Sequence, residues 1–230
     1  MYECNRMIIL CLRHEVAEHN EADERSRKVA KKDPDSQERA RLSVLENPKF
    51  VDSPLSRTGR QRCQDLALKL KEKLKSLDDY TLPDIMYTSP LRRCDETART
   101  VYERAKIVPD PMLRERRTGR PCDMTMGEFL MSKTSRSTKD SIENNMALRS
   151  RVEDFIRKLR VRMRSVKKKD RTPSVGIVSH KAWLREMDNY FRSEWSTSSQ
   201  LSNQKIFRNG EIRKYSLNFT TKYVSMMPIL

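Results

Sequence analysis

The 230-residue chain is predicted to fold as one α/β domain, a three-layer sandwich in which helices flank a central, mostly parallel sheet. Three observations predict this class. Short, continuous apolar runs indicate buried strands. Amphipathic helical patterns separate these runs, and such alternation is typical of parallel sheets. The length fits a single domain with a substantial core.

Each predicted strand is short and apolar, or alternates between apolar and polar residues. The predicted strands are Met7–Leu12, Asp84–Thr88, Lys106–Val108, Ser174–Ser179 and the alternating stretch that holds Tyr215, Leu217 and Phe219. Because the first and fourth of these are continuously apolar, we expect them to be buried strands.

Four helices are predicted from apolar residues spaced three and four apart. The first carries its apolar face from Cys63 to Leu77, with Ser56 as the N-cap. Ser89 and Pro90 are typical of a helix start, with serine as cap and proline in the first position. The third helix spans about 142–166, with Met146, Val152, Phe155, Ile156, Leu159, Met163 and Val166 on its buried face. The fourth begins near Lys181.

Two stretches interrupt this pattern. Residues 21–47 are polar and are predicted to form a surface insertion or mobile segment with partial helix. Residues 124–141, rich in Ser, Thr and Met, are treated as a loop region of unassigned structure. The domain prediction is therefore a single unit over residues 1–230 that carries these two additions.

The charge balance favours acidic partners. Forty-eight Lys and Arg against 32 Asp and Glu give a formal charge of +16, which suits phosphorylated metabolites, nucleic acid or an anionic membrane. The five cysteines are scattered and the three histidines complete no zinc spacing, so we expect reduced thiols and no metal. No apolar run reaches membrane-spanning length, and we expect a cytoplasmic protein, with nuclear access left open.

Unusual residues follow three of the predicted strands. Arg13 and His14 follow the first, Arg93 lies just after the second, and His180 follows the strand that ends at Ser179. In open α/β sheets, ligands bind beyond the carboxyl ends of the strands. Arginine matches phosphate oxygens with a planar fork of donors, and a neutral imidazole can attack phosphorus. The pattern indicates phosphate chemistry.

Six segments of the sequence, in order, resemble the motifs of the histidine phosphatase superfamily, which is phosphoglycerate-mutase-like. These segments are Arg13-His14 through Asn20, Pro54 through Gln61, Ser89 through Ala98, Leu113-Arg114-Glu115 with Pro121-Cys122-Asp123, Val178-Ser179-His180, and Phe207 through Arg213. Together they span roughly residues 7–217.

The resemblance implies a role for each matching residue. His14 would attack phosphorus and hold the phosphoryl group covalently, while Glu115 would donate a proton to the leaving group and then activate water. The phosphoryl oxygens would be held by Arg13, Arg93 and His180, with Asn20 lining the pocket. No metal would be needed, because arginines supply the positive charge. The implied activity is hydrolysis of a phosphate monoester on a small molecule or a macromolecule.

Two positions depart from the family pattern. Glu15 and Lys181 follow the two histidines, where the family usually has glycine. Glycine permits close backbone approach, and a carboxylate beside the nucleophile could repel phosphate. Two alternatives therefore stay open: a catalytically impaired member that binds phosphorylated or polyanionic partners, and a mutase-like phosphotransferase.

A basic stretch offers a second surface for acidic partners. Residues 157–171 hold nine basic residues against one acid, Asp170. This composition fits a solvated helix face, and it also fits a docking patch for a polyanion such as RNA or phosphoinositide head groups.

Overall fold

A computed structural model describes residues 5–75, 83, 85–134, 142–165, 172–202 and 206–230 of the chain. The α/β prediction is confirmed: a seven-stranded sheet lies between two layers of helices. The strands are β1 (Arg6–Arg13), β2 (Ile85–Thr88), β3 (Ile107–Pro109), β4 (Ser174–Ser179), β5 (Ser196–Thr197), β6 (Ile212–Asn218) and β7 (Tyr223–Pro228).

The strand order is β3-β2-β4-β1-β6-β7-β5. The first four strands in this order are mutually parallel. Strand β6 runs antiparallel to both β1 and β7, and β5 pairs in parallel with β7. Because β2, β4 and β1 are adjacent and parallel, their carboxyl ends meet at one edge of the sheet. The sheet is therefore mostly parallel, as predicted.

Eight helices surround the sheet within the described residues. They are α1 (Glu18–Val29), α2 (Pro34–Leu45), α3 (Arg57–Lys75), α4 (Arg92–Val101), α5 (Met126–Thr134), α6 (Asn145–Ser165), α7 (Lys181–Glu194) and α8 (Ser199–Ser202). Short 3-10 turns lie at Pro48–Phe50, Pro111–Leu113 and Pro121–Asp123.

The core has two parts, one on each face of the sheet. On one face, α6 and α7 pack their apolar stripes against the sheet through Phe155 and Trp183, whose rings meet edge to face at 5.6 Å. On the other face, α3 and α4 pack through Cys63 and Cys94. Burial of each large apolar side chain contributes about 1.5–3 kcal/mol. This packing fixes the positions of the strand ends.

Two details of the helix predictions are wrong. Helix α4 begins at Arg92, not at Pro90, and its N-cap residue is Leu91. The Ser89 hydroxyl lies 2.7 Å from His180 Nε2, and the N–H of Arg92 donates instead to Asp52. Met146, expected on the buried face of α6, is 78% exposed because it lies two residues before the buried Leu148 and therefore on the opposite side of the helix.

The two stretches that interrupted the pattern contain more regular structure than predicted. Helices α1 and α2 occupy most of residues 21–47 and pack against each other. Helix α5 occupies residues 126–134, and residues 135–141 lie outside the described part of the chain. Strands β5 and β7 were not predicted at all. Leu77 and Val166 also fall outside the described residues.

The described cysteines are all free and buried: Cys11, Cys63, Cys94 and Cys122. Among the described helices, none has the length and apolar character needed to cross a bilayer.

Candidate active site

Backbone hydrogen bonds bring three strand ends together at the carboxyl edge of the sheet. The N–H of His14 donates to the carbonyl of Ser179 at 3.1 Å, and the N–H of Ser89 donates to the carbonyl of Val178 at 3.0 Å. The residues that follow β1, β2 and β4 therefore share one small region. His14 and His180 meet there edge to face, with ring centroids 5.0 Å apart.

A cavity of about 510 Å³ opens above these strand ends. Five of the six predicted site residues line it: Arg13, His14, Asn20, Arg93 and Glu115. The sixth, His180, lies beneath His14 and is fully buried. We call Arg13, His14, Arg93, Glu115 and His180 the inner pocket. Sequence positions from 13 to 180 are thus brought together as the motif order predicted.

The hydrogen bond of His14 determines which ring nitrogen carries the lone pair. Nδ1 lies 2.7 Å from the backbone carbonyl of Glu15. Because a carbonyl oxygen only accepts, Nδ1 carries the hydrogen and Nε2 holds the lone pair in the neutral ring. Burial, and then the charges of Arg93 and Arg13, hold the pKa of His14 well below its usual value. Both effects favour the neutral form of the ring, which is the form that a nucleophilic imidazole needs.

Both inner arginines are held by backbone carbonyls. Arg13 Nη1 donates to Phe207 at 2.8 Å, and Arg93 Nη1 donates to Cys122 at 2.9 Å. The Nε atoms of both are buried and have no hydrogen-bond partner in the described part of the chain. Both arginines line the cavity beside His14, and cations fixed in this way favour a bound anion.

Glu115 lies in the loop after β3, next to the first turn of α7. Its Oε1 accepts from the N–H of Arg116 at 3.0 Å and from the N–H of Ala182 at 3.1 Å. Burial, and then the nearby charge of Asp123, raise the pKa of this carboxyl, although Arg93 and Arg13 oppose the shift. Since Oε1 is occupied by two donors, a proton on this group belongs on Oε2.

His180 contacts other protein groups and does not line the cavity. Its Nε2 lies 2.7 Å from Ser89 Oγ and 3.4 Å from Cys94 Sγ. Burial holds its pKa well below the usual range, and Arg93 lowers it further. These effects favour the neutral ring, which packs edge to face against His14.

Asn20 lines the cavity, yet both ends of its amide contact the protein. Its Oδ1 accepts from the N–H of Ala17 at 3.0 Å, and its Nδ2 lies 2.9 Å from His19 Nε2. His19 is buried, and its Nδ1 has no partner among the described residues. Asn20 thus orients His19 at the cavity wall, and any contact of Asn20 with substrate stays a prediction.

Glu15 does not line the cavity. Its Oε2 accepts from the N–H of Val16. Its Oε1 lies so close to Gly210 that a Cβ added to this glycine would be only 1.9 Å away. Gly210 has a φ of +73°, a conformation that glycine adopts without cost. The carboxylate that replaces the usual glycine is therefore packed against Gly210 and not in the cavity that His14 lines.

Lys181, the second departure from the family pattern, lies at the cavity wall. Other basic side chains join it around the opening, and we call Arg27, Arg41, Lys181 and Arg185 the outer rim. Sequence reasoning missed Arg41 and Arg185. Arg185 could have been found from its position four residues after Lys181 on one helix face, whereas nothing in the sequence signals that Arg41 reaches this cavity.

Comparison with protein families gives a match to the histidine phosphatase superfamily (branch 1) over residues 49–205, more than half of the chain. The chain belongs to the histidine phosphatase superfamily. The matched region contains Arg93, Glu115 and His180, while His14 precedes it. Comparison with curated protein sequences finds no match.

Solved structures of phosphatases and mutases share the fold of this histidine phosphatase family member. A mycobacterial glucosyl-3-phosphoglycerate phosphatase is 15% identical, with a TM-score of 0.59 over 97% of each chain. An alpha-ribazole phosphatase from Shigella flexneri is 17% identical, with a TM-score of 0.59 over 97% of this chain and 96% of its own. A phosphoglycerate mutase from Bacillus anthracis is 16% identical, with a TM-score of 0.60 over 98% of this chain and 93% of its own. At these identities the likeness establishes the fold.

Within the described residues, no three His, Cys, Asp or Glu side chains are grouped so that they could hold a metal ion. Metal independence stays a prediction.

Proposed function

We propose that this protein hydrolyses a phosphate monoester through a phosphohistidine on His14. One observation carries the proposal: a neutral imidazole with its lone pair on Nε2 lies in one cavity with Arg13, Arg93 and Glu115. Neighbouring folds that are named as phosphatases support it.

In the first step, His14 Nε2 attacks phosphorus while the ester P–O bond breaks. Glu115 Oε2 gives its proton to the leaving oxygen, so that the product departs as an alcohol. Arg13 and Arg93 stabilise the charge on the equatorial oxygens, which is the main catalytic contribution of a protein to phosphoryl transfer. The phosphoryl group is then bonded to Nε2.

In the second step, water replaces the alcohol. The Glu115 carboxylate takes a proton from water as its oxygen attacks phosphorus, and the P–N bond breaks. Inorganic phosphate leaves, His14 is again neutral, and Glu115 is again protonated. Because the same carboxyl serves as acid and then as base, its raised pKa matters for both steps.

The partner of this reaction is a phosphorylated molecule that presents its ester to the inner pocket. The basic stretch 157–171 is a weaker candidate for polyanion contact, because two of its described members are already paired. Arg157 contacts Asp154 at 2.6 Å, and Lys158 contacts Asp110 at 2.5 Å. Residues 166–171 lie outside the described part of the chain.

The test is hydrolysis of p-nitrophenyl phosphate without added metal, in chelator, by wild type and His14→Ala. We expect turnover in the wild type and none in the variant. A phosphoenzyme trapped during turnover should be stable in alkali and labile in acid, as a phosphoramidate is. Turnover that persists in His14→Ala, or a trapped phosphate that survives acid, would exclude the phosphohistidine route.

A further inference from the structure

Three of the four outer-rim cations, Lys181, Arg185 and Arg41, line the cavity together. Lys181 and Arg185 lie four residues apart on α7, and therefore on the same helix face. Arg41 approaches from α2, in the segment that the sequence predicted as an insertion. The three side chains are exposed, so a ligand in the cavity can reach them.

A second cavity continues the first one past these residues. Its volume is about 400 Å³, and it lies between α1, α2 and the start of α7. Arg41 and Lys181 line both cavities. The cleft therefore runs from His14, past Lys181, into the space between the two insertion helices. A ligand bound at His14 has room to extend in this direction.

The acids near this cleft are each paired with a neighbouring basic side chain, and two of these pairs involve outer-rim arginines. Asp23 holds Arg27 through two hydrogen bonds of 3.0 and 3.1 Å, and Glu38 lies 3.4 Å from Arg41. Glu24, the remaining acid on this side, pairs with Lys28 at 2.7 Å.

Lys181 and Arg185 form no ion pair with the described residues. Burial and the neighbouring charges of Arg13, Arg185 and Arg41 lower the pKa of Lys181, with only Glu115 opposing. Cations that repel one another in this way are stabilised by an anion placed between them.

We propose that Lys181, Arg185 and Arg41 form a second anion subsite, which holds a second phosphate group of a small bisphosphorylated substrate while His14 receives the first. This inference rests on the proposed function and names its substrate class. Lys181 stands where the family usually has glycine, so the subsite belongs to this chain's own sequence. The guanidinium forks of the two arginines suit the planar recognition of phosphate oxygens.

Phosphate esters of flexible diols test the subsite without knowledge of the natural substrate's carbon skeleton. Bisphosphates of unbranched diols with four-, six- and eight-carbon chains are compared with the corresponding monophosphates. Binding is measured by calorimetry on the His14→Ala protein, which retains Arg13 and Arg93 but cannot turn over. We expect at least one bisphosphate to bind about tenfold more tightly than its monophosphate, a factor typical of one added charged contact.

Substitutions then assign the preference to the subsite. In the same His14→Ala background, Lys181→Ala with Arg185→Ala should erase the preference and leave monophosphate affinity within about twofold. Lys69→Ala is the matched control, because Lys69 is an exposed lysine on α3, on the other face of the sheet. It should leave the preference intact.

The outcomes separate this inference from the proposed function. Equal affinity for mono- and bisphosphates at every chain length overturns the subsite, and so does a preference that survives the double substitution. If the wild type does not hydrolyse p-nitrophenyl phosphate, the proposed phosphatase activity is contradicted. A preference for bisphosphates in calorimetry would still support the subsite.

Discussion

The inner pocket and the outer rim are both basic, yet they are built in different ways. In the inner pocket Arg93 is 1% exposed, and its guanidinium is fixed by the carbonyl of Cys122. On the outer rim Arg27 and Arg41 are each 45% exposed and are paired within their own helices. One set of charges is held by the sheet edge and the core, and the other is carried on helices at the surface.

This difference predicts different contributions to function. Buried cations with fixed geometry can stabilise charge that develops during reaction, since no reorganisation is needed at that moment. Exposed cations are screened by salt over about 10 Å at 0.1 M ionic strength, and so they contribute to binding and selectivity. Substitutions in the inner pocket should therefore lower kcat, and those on the outer rim should change KM.

The largest effect should come from Arg93→Lys compared with Arg92→Lys. Arg93 is buried in the inner pocket, whereas its neighbour Arg92 is exposed and lies 3.5 Å from Glu96. Lysine keeps the charge but loses the planar fork. By analogy with the loss of one oxyanion donor, we expect kcat for Arg93→Lys to fall by about 100- to 1000-fold.

Steady-state kinetics with p-nitrophenyl phosphate measures both variants. Arg92→Lys should retain wild-type kcat within about twofold, as exposed ion pairs contribute little. A similar loss of kcat in the two variants would show that burial of the arginine does not determine its contribution to catalysis.

The next effect concerns Glu115 and pH. Its raised pKa keeps the acid form present at higher pH than in an ordinary glutamate, while the lowered pKa of His14 keeps the nucleophile neutral into the acidic range. For an alkyl phosphate, kcat/KM should therefore fall as pH rises through the pKa of Glu115. In Glu115→Gln that alkaline decline should disappear, and the rate should drop by about 100-fold.

p-Nitrophenyl phosphate is the internal comparison for this prediction. Its phenolate leaves without much help from an acid, so Glu115→Gln should impair its cleavage less than that of the alkyl phosphate. Equal impairment of both substrates at all pH values would argue that Glu115 does not protonate the leaving group.

The sequence predicted the inner pocket far better than the outer rim. Arg13 ends β1, and His14 and His180 directly follow β1 and β4, whose apolar runs are clear in the sequence, so the sheet alone brings the three together. By contrast, Arg41 reaches the cavity only because α1 and α2 fold back as a pair, and that packing left little apolar periodicity in the sequence. The position of α4 was predicted, but its start was wrong because the Ser89 hydroxyl contacts His180.

A smaller effect should follow from Gly210→Ala, which tests where Glu15 points. The added methyl would meet Glu15 Oε1, and the φ of +73° is unfavourable for alanine. We expect the free energy of unfolding to fall by about 1–2 kcal/mol from the backbone. The displaced carboxylate should also lower kcat several-fold. Denaturant unfolding and kinetics measure these separately.

The double variant, with Glu15→Ala added to Gly210→Ala, is the control for that displacement. It should restore kcat without restoring stability, because the strained φ remains while the carboxylate is gone. If kcat stays low in the double variant, the effect of Gly210→Ala on activity does not pass through Glu15.

The smallest effect belongs to the outer rim, in Asp23→Asn. Asp23 holds Arg27 by two hydrogen bonds within α1, a pair that contributes about 0–1 kcal/mol to stability. Asparagine removes the negative charge and releases Arg27 toward the cleft that both residues line. KM for a bisphosphate should fall by about twofold, with kcat unchanged, and the gain should vanish in high salt because the charges are exposed. A change in kcat instead would mean that the outer rim affects the chemical step, and the contrast between the two basic regions would fail.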